Sequence, residues 1–208
     1  LNSSEADTLD FWQQLREDWE AHGKDWTKPG FRAVVVYRFG VWRMRIQSKL
    51  LRAPLSVLYN MLYRRIRNRY GIELPYTVKL GRRVIIEHQC GIIIHGCCQI
   101  GDDSIIRQGV TLGNRYLDRP SDAPTLGQGV NVGAGAKILG NVTIGDRACI
   151  GANAVVLSHI PPGTTAVGIP ARIIRQTEKT DTKELADIIG ESNEREILEH
   201  SVSYSLES

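Results

Sequence analysis

A mainly β fold is predicted for this chain: a parallel β-helix entered through a small α-helical region. Three observations carry the prediction. From Leu126 to Pro161 the sequence runs in six uninterrupted blocks of six: Leu126-Gly-Gln-Gly-Val-Asn, Val132-Gly-Ala-Gly-Ala-Lys, Ile138-Leu-Gly-Asn-Val-Thr, Ile144-Gly-Asp-Arg-Ala-Cys, Ile150-Gly-Ala-Asn-Ala-Val and Val156-Leu-Ser-His-Ile-Pro. Each block opens on an aliphatic residue and carries a small or aliphatic one at its fifth position, from Val130 and Ala136 to Ala154 and Ile160. Before Gly71 the apolar spacing changes to the three-and-four rhythm of helices.

A period of six matches neither the helix repeat near 3.6 nor the strand repeat of 2. It suits a coil of short strands stacked on copies of themselves. The first residue of each block then points inward as an aliphatic ladder, the fifth fits a corner, and Gly or Asn supplies the positive φ that β-branched residues resist. The register continues upstream through Leu80 and Ile86, slips by two residues around His88, and resumes at Ile94, Ile100, Ile106 and Leu112. Between Leu112 and Leu126 lies Asn114-Arg-Tyr-Leu-Asp-Arg-Pro-Ser-Asp-Ala-Pro124, polar and proline-bearing, read as a loop thrown out from the coil. The organisation expected is a helical region over 1–72, the β-helix over 73–175 with an extruded loop at 114–125, and a charged tail over 176–208.

In the helical region, Asp7 or Thr8 is placed as the cap of a first helix carrying Leu9, Trp12, Leu15 or Arg16, and Trp19 along one face. Lys28-Pro-Gly30 breaks it. A second helix is expected from Phe31 to about Lys49, and a third opening at Pro54 with Leu55, Leu58, Leu62 and Ile66 at helical spacing. Gly71 ends that one. In the tail, a short helix is placed at 183–189.

The chain has 208 residues, a 42% apolar fraction and a net charge of only +3. No apolar run reaches the length of a spanning helix, and no secretory signal pattern is present. Cys90, Cys97, Cys98 and Cys149 show neither metal-ligand spacing nor a secreted disulfide framework, so no metal is expected and a reducing cytoplasm is the expected location. The charge is unevenly spread. Residues 31–70 hold ten Arg or Lys and no acid, whereas residues 177–208 hold nine acids against three bases. The run Arg64-Arg-Ile-Arg-Asn-Arg69 admits three readings: a water-facing surface, a match for an acidic partner, or a patch on anionic lipid at the inner membrane face. Nucleic acid is not expected, since no groove-reading motif accompanies the arginines.

Three segments carry a resemblance to a known family: Gly109-Val-Thr-Leu-Gly113, Val132 to Asn141, and Pro161-Pro-Gly-Thr-Thr-Ala-Val-Gly-Ile-Pro-Ala-Arg172. The chain resembles the serine acetyltransferases and their hexapeptide-repeat relatives from about Phe31 to Ile174. That resemblance implies a left-handed β-helix, homotrimers or dimers of trimers, and acetyl transfer from acetyl-CoA to an alcohol. It places the catalytic base on His88, with Glu73, where the family has Asp, orienting its ring. The chemistry is sound for an imidazole of pKa near 6.5 that takes a proton from an attacking hydroxyl. A structural reading stands beside it, with Glu73 paired to Arg82 or Arg83. The resemblance also implies acceptor binding at Glu87 and at the loop residues Asn114 and Arg115, and acetyl-CoA binding at Gly113, Ala134, Ala152 and Arg172. His95 and His159 are read as structural.

The family's Arg-His-Pro in the extruded loop is replaced here by Asp122-Ala-Pro124, which removes positive charge where an amino-acid carboxylate binds. The loop start, Thr111-Leu-Gly-Asn-Arg115, is similar to the branch that acetylates surface polysaccharides. The expectation is therefore O-acetylation of a sugar hydroxyl on a polysaccharide precursor, with L-serine O-acetylation as the alternative. A β-helix carbonic anhydrase, which needs three converging histidines, and a non-catalytic scaffold are the remaining readings. The family's C-terminal isoleucine has no counterpart in Leu206-Glu-Ser208, so cysteine synthase is not an expected partner.

Overall fold

The computed structural model describes residues 11–176. The caps placed at Asp7 or Thr8, Leu9 and the tail helix at 183–189 lie outside the described residues. Three helices lead, α1 (Phe11–Ala21), α2 (Pro29–Met44) and α3 (Lys49–Tyr70), and short strands follow. The strands fall in rotation onto three sheets. The first holds β1 (Ile72–Glu73), β4 (Ile92–Ile94), β7 (Thr111–Gly113), β10 (Lys137–Leu139) and β13 (Val155–Val156). The second holds β2 (Lys79–Leu80), β5 (Gln99–Ile100), β8 (Thr125–Leu126) and β11 (Thr143–Ile144). The third holds β3 (Ile85–Ile86), β6 (Ile105–Ile106), β9 (Asn131–Val132), β12 (Cys149–Ile150) and β14 (Thr164–Val167), all parallel, then β15 (Arg172–Gln176), which folds back antiparallel on β14.

The expected mainly β fold with parallel sheets behind a helical region is thus present, and the register follows the hexads. Ile94, Leu112, Ile138 and Val156 stack on the first sheet, Leu80, Ile100, Leu126 and Ile144 on the second, and Ile86, Ile106, Val132 and Ile150 on the third, all buried. Each side chain meets its counterpart one turn away, so the ladder is both the core and the device that fixes register. The fifth positions Val130, Ala136, Val142, Ala148, Ala154 and Ile160 are buried as well. Where the chain passes from the third sheet to the first, Gly91, Gly109 and Gly135 stack at φ of 71°, 73° and 76°. A Cβ on Gly109 would lie 3.2 Å from the Cα of Gly135, and one on Gly135 only 2.0 Å from Oδ1 of Asn153. The left-handed φ favours glycine at each of the three, and at Gly109 the backbone of the next coil also crowds a Cβ; Asn153 ends the stack at φ 57°.

The first coil has three open strand edges, and groups from the helices close those of β2 and β3. Tyr37 Oη donates to the Val78 carbonyl at 2.7 Å and accepts from the Leu80 N–H at 3.2 Å. Arg38 donates to the carbonyls of Leu80 (3.2 Å) and Gly81 (2.6 Å), and its charge is met by buried Asp18 at 2.8 Å. The Ile86 N–H donates to His22 Nε2 at 3.3 Å, while His22 Nδ1 lies 2.6 Å from the Asp18 carbonyl, which makes Nδ1 the protonated nitrogen. Unpaired edge groups would otherwise recruit further strands. Arg43 joins α2 to α3: its guanidinium lies 4.4 Å from the Tyr59 ring centre and 4.5 Å from that of Tyr76, and it donates to Ser56.

Two helix boundaries differ from the expected ones. α2 stops at Met44, and α3 begins at Lys49 with Pro54 inside it. Pro54 sits little more than a turn from the start, where its missing N–H removes a single bond, to the Leu50 carbonyl. Of the expected apolar stripe, Ile66 is buried but Leu58 faces solvent; Tyr59 takes the inward position instead.

Candidate active site

His88 lies on the turn between β3 and β4, where two residues beyond the six-residue step separate Ile86 from Ile94. The extra length swells the corner. His88 is held at φ 68° and Cys90 at φ 77°, left-handed values that are uncommon outside glycine and that gather at functional sites. The imidazole is exposed and makes no hydrogen bond among the described residues. It lines an open cleft of about 380 Å³ together with Pro29, Gln89 and Gln108. Pro29 comes from the start of α2, whose next residue, Gly30, is pressed against β3: a Cβ there would fall 1.7 Å from the Ile86 carbonyl oxygen. The helical region therefore builds one wall of the cleft as well as closing the coil.

Gln108 escaped the sequence reading. It occupies His88's place one coil on, and its Oε1 is buried with no donor among the described residues. A buried acceptor without a partner costs about 1–3 kcal/mol, so this oxygen at the cleft is placed to take a donor from water or a ligand. The available signal was the coil spacing, since residues twenty apart in this part of the chain pair side by side, as Ile86 and Ile106 do.

The other expected site residues fall into three places. Glu87, next to His88, is ion-paired to Arg107 at 2.9 Å, and Arg107 also donates to Asn131. Ala134 and Ala152 lie further along the same third-to-first edge, each one residue before the Gly135 and Asn153 of the corner stack. Glu73 lies in β1 opposite Ile93; among the described residues no hydrogen bond joins it to His88, and its charge adds to burial in pushing the Tyr63 phenol up. Nor does it pair with the nearby arginines: Arg82 is taken by Glu17 at 2.6 Å and Arg83 by Asp103 at 2.6 Å.

Gly113, Asn114 and Arg115 lie at the far end of the first sheet, where β7 passes into the extruded loop. Arg172 is exposed at the start of β15. In the loop, Arg115 and Arg119 stand over the Tyr116 ring at 5.2 and 5.7 Å and, with Asp122 and Asn141, line a second cleft of about 210 Å³. Neither arginine has a carboxylate partner among the described residues. His95 and His159 each accept a backbone N–H, from Cys97 and Thr143. No group of three His, Cys, Asp or Glu that could hold a metal gathers among the described residues.

The model of the bacterial transferase hexapeptide family (six repeats) matches residues 123–158. A serine acetyltransferase of Staphylococcus xylosus is 41% identical over 136 residues, which are 65% of this chain and 63% of the relative. A soybean serine acetyltransferase solved in complex with serine is 32% identical at a TM-score of 0.67, with 79% of this chain and 69% of that one aligned. The chain belongs to the serine acetyltransferase family. A second solved member of this family, from Brucella abortus in complex with coenzyme A, is 28% identical at a TM-score of 0.69, covering 83% of this chain and 70% of that one. The chain spans just under two thirds of the length of the curated serine acetyltransferases it matches.

These relationships correct the expected saccharide acceptor and the polysaccharide branch, because the family members found are serine acetyltransferases. The expectation rested on cations missing at Asp122 and Ala123. Ala123 is in fact buried, and Arg115 and Arg119 place positive charge on the same loop.

Proposed function

We propose that this protein transfers the acetyl group of acetyl-CoA to the hydroxyl of L-serine, with His88 as general base. The observation that carries the reading is the exposed, left-handed His88 in a cleft of a chain whose relatives are serine acetyltransferases. Neutral imidazole takes the hydroxyl proton as the serine oxygen attacks the thioester carbonyl. The tetrahedral intermediate collapses, the C–S bond breaks, and the imidazolium returns its proton to the departing thiolate, giving O-acetylserine and CoA. Glu73 is assigned the carboxylate that orients the ring and Glu87, beside Arg107, the acceptor's ammonium. Arg115, Asn114 and Arg119 are assigned the acceptor's carboxylate end. Gly113, Ala134 and Ala152 give acetyl-CoA close access to backbone donors, and Arg172 its phosphates.

In one chain, His88 and the extruded loop lie at opposite ends of the first sheet's strands, on the order of 13 Å apart along β7 and its flanks. We infer a left-handed coil and a homotrimer in which the loop of one subunit faces the His88 edge of the next. The test is CoA release from acetyl-CoA with L-serine as acceptor. Saturable serine-dependent release is expected, and His88→Ala should lower turnover by about 10²–10⁴-fold with acetyl-CoA affinity unchanged. Absence of serine-dependent release by the folded protein refutes the reading.

A further inference from the structure

Helix α3 turns an apolar strip to solvent over its first half. Leu50 is 88% exposed, Val57 62% and Met61 63%, with Leu51 and Leu58 beside them. Positions 50, 54, 57, 58 and 61 recur at helical spacing and share one face, opposite buried Tyr59 and Ile66. One turn on, the same face becomes cationic: Arg64 and Arg65 continue it, followed by Asn68 and Arg69, all exposed. Among the described residues no carboxylate pairs with any of these arginines, and the whole of 31–70 contains no acid. α3 has 22 residues, about 33 Å of helix, apolar at one end and basic at the other.

An exposed strip of large aliphatic side chains marks a contact surface, and the charge selects its partner. A second copy of α3 laid on the first would cover the leucines but leave the arginines of both copies without a counter-charge, since residues 31–70 contain no acid. An anionic bilayer answers both halves, receiving leucines at the boundary of headgroups and acyl chains and arginines at the phosphates. No helix among the described residues is long and apolar enough to cross a membrane, so the contact is one of a helix lying in the interface.

We propose that the exposed face of α3 docks this protein on the surface of an anionic membrane. The docking is independent of acetyl transfer and of the acceptor's identity, since α3 contributes no residue to the His88 cleft.

The experiment is vesicle flotation of the full chain with phosphatidylcholine alone and with phosphatidylcholine containing phosphatidylglycerol, at low and high salt. Binding is expected to the anionic vesicles only, weakened by salt. Each arginine near such a surface contributes about fivefold to partitioning, so Arg64→Glu with Arg65→Glu should lower it by at least ~25-fold. Replacing Leu50, Val57 and Met61 by Ser should abolish it while serine-dependent CoA release, if the wild type shows it, is retained. Failure to float with anionic vesicles, or equal binding to both compositions, overturns the proposal. So does a change of oligomeric mass by light scattering in the serine variant with vesicle binding intact, which assigns the face to self-association.

Discussion

Replacing Asp18 by Asn tests how the helices are fastened to the first coil. Asp18 is 1% exposed and Arg38 7%. The guanidinium donates through Nε to Oδ2 at 2.8 Å and through Nη2 to Oδ1 at 3.3 Å, and it also reaches the carbonyls of Leu80 and Gly81. An asparagine keeps one acceptor, turns an N–H group toward another donor, and strips the buried cation of its counter-charge. Breaking a buried ion pair from one side costs about 3–5 kcal/mol. The two carbonyls go on accepting from Arg38, so the lower end, about 3 kcal/mol, is expected, a large share of a domain's usual 5–15 kcal/mol. Urea unfolding at neutral pH reads this as a lower midpoint at unchanged slope. The double variant Asp18→Leu with Arg38→Met should regain part of the loss, remaining about 1–2 kcal/mol below the parent because Leu80 and Gly81 lose a donor. A loss under about 1 kcal/mol in Asp18→Asn, or a double variant no better than the single one, refutes this account of the fastening.

Three further outcomes are expected. His22 is buried, and burial holds its imidazole below the ordinary value near 6.5, so the folded state favours the neutral ring that accepts from Ile86. Its contribution is complete above that value and declines as the pH falls from it toward the folded pKa; a pH series of unfolding midpoints should lose this decline in His22→Gln, and an unchanged slope would rule His22 out as its source. Gly30→Ala sets a Cβ against the Ile86 carbonyl and should cost about 3 kcal/mol in melting experiments, with serine-dependent turnover reduced because β3 leads into His88; wild-type melting would show that α2 can shift without strain. Burial raises the Cys98 thiol to about 12, so iodoacetamide should modify exposed Cys90 and Cys97 in the native protein and reach Cys98 only after unfolding; labelling of all three at one rate would contradict the burial.

The β region was legible because its information is local. A ladder residue such as Val132 stacks on Ile106 and Ile150, its own equivalents in the neighbouring coils, so the period alone announces the contact. The slip of two around His88 was equally visible, and it became the swollen corner. The fastening of the helices was not legible, because Arg38 to Asp18 and Tyr37 to Val78 join residues without any shared period. Helix spacing placed Leu58 on the inner face, yet stacking of Tyr59 against Tyr63 and its edge contact with Tyr76 rotated α3 by about one residue. The acceptor was misread for a related reason. Charge was sought at Asp122 and Ala123 by position along the loop, whereas the cations present, Arg115 and Arg119, meet around Tyr116 only once the loop is folded.

The closure of the first coil by Tyr37, Arg38 and His22 protects the start of the stack of strands as soon as that coil exists. These residues leave the ribosome before the repeats do, so a growing polypeptide can hold its finished end capped while each new turn is laid on the one before. At the far end of the stack, β15 folding back on β14 covers the edge of the third sheet. Losing the cap would leave ready-made strand edges at the start of the stack, and such a molecule can join end to end into filaments.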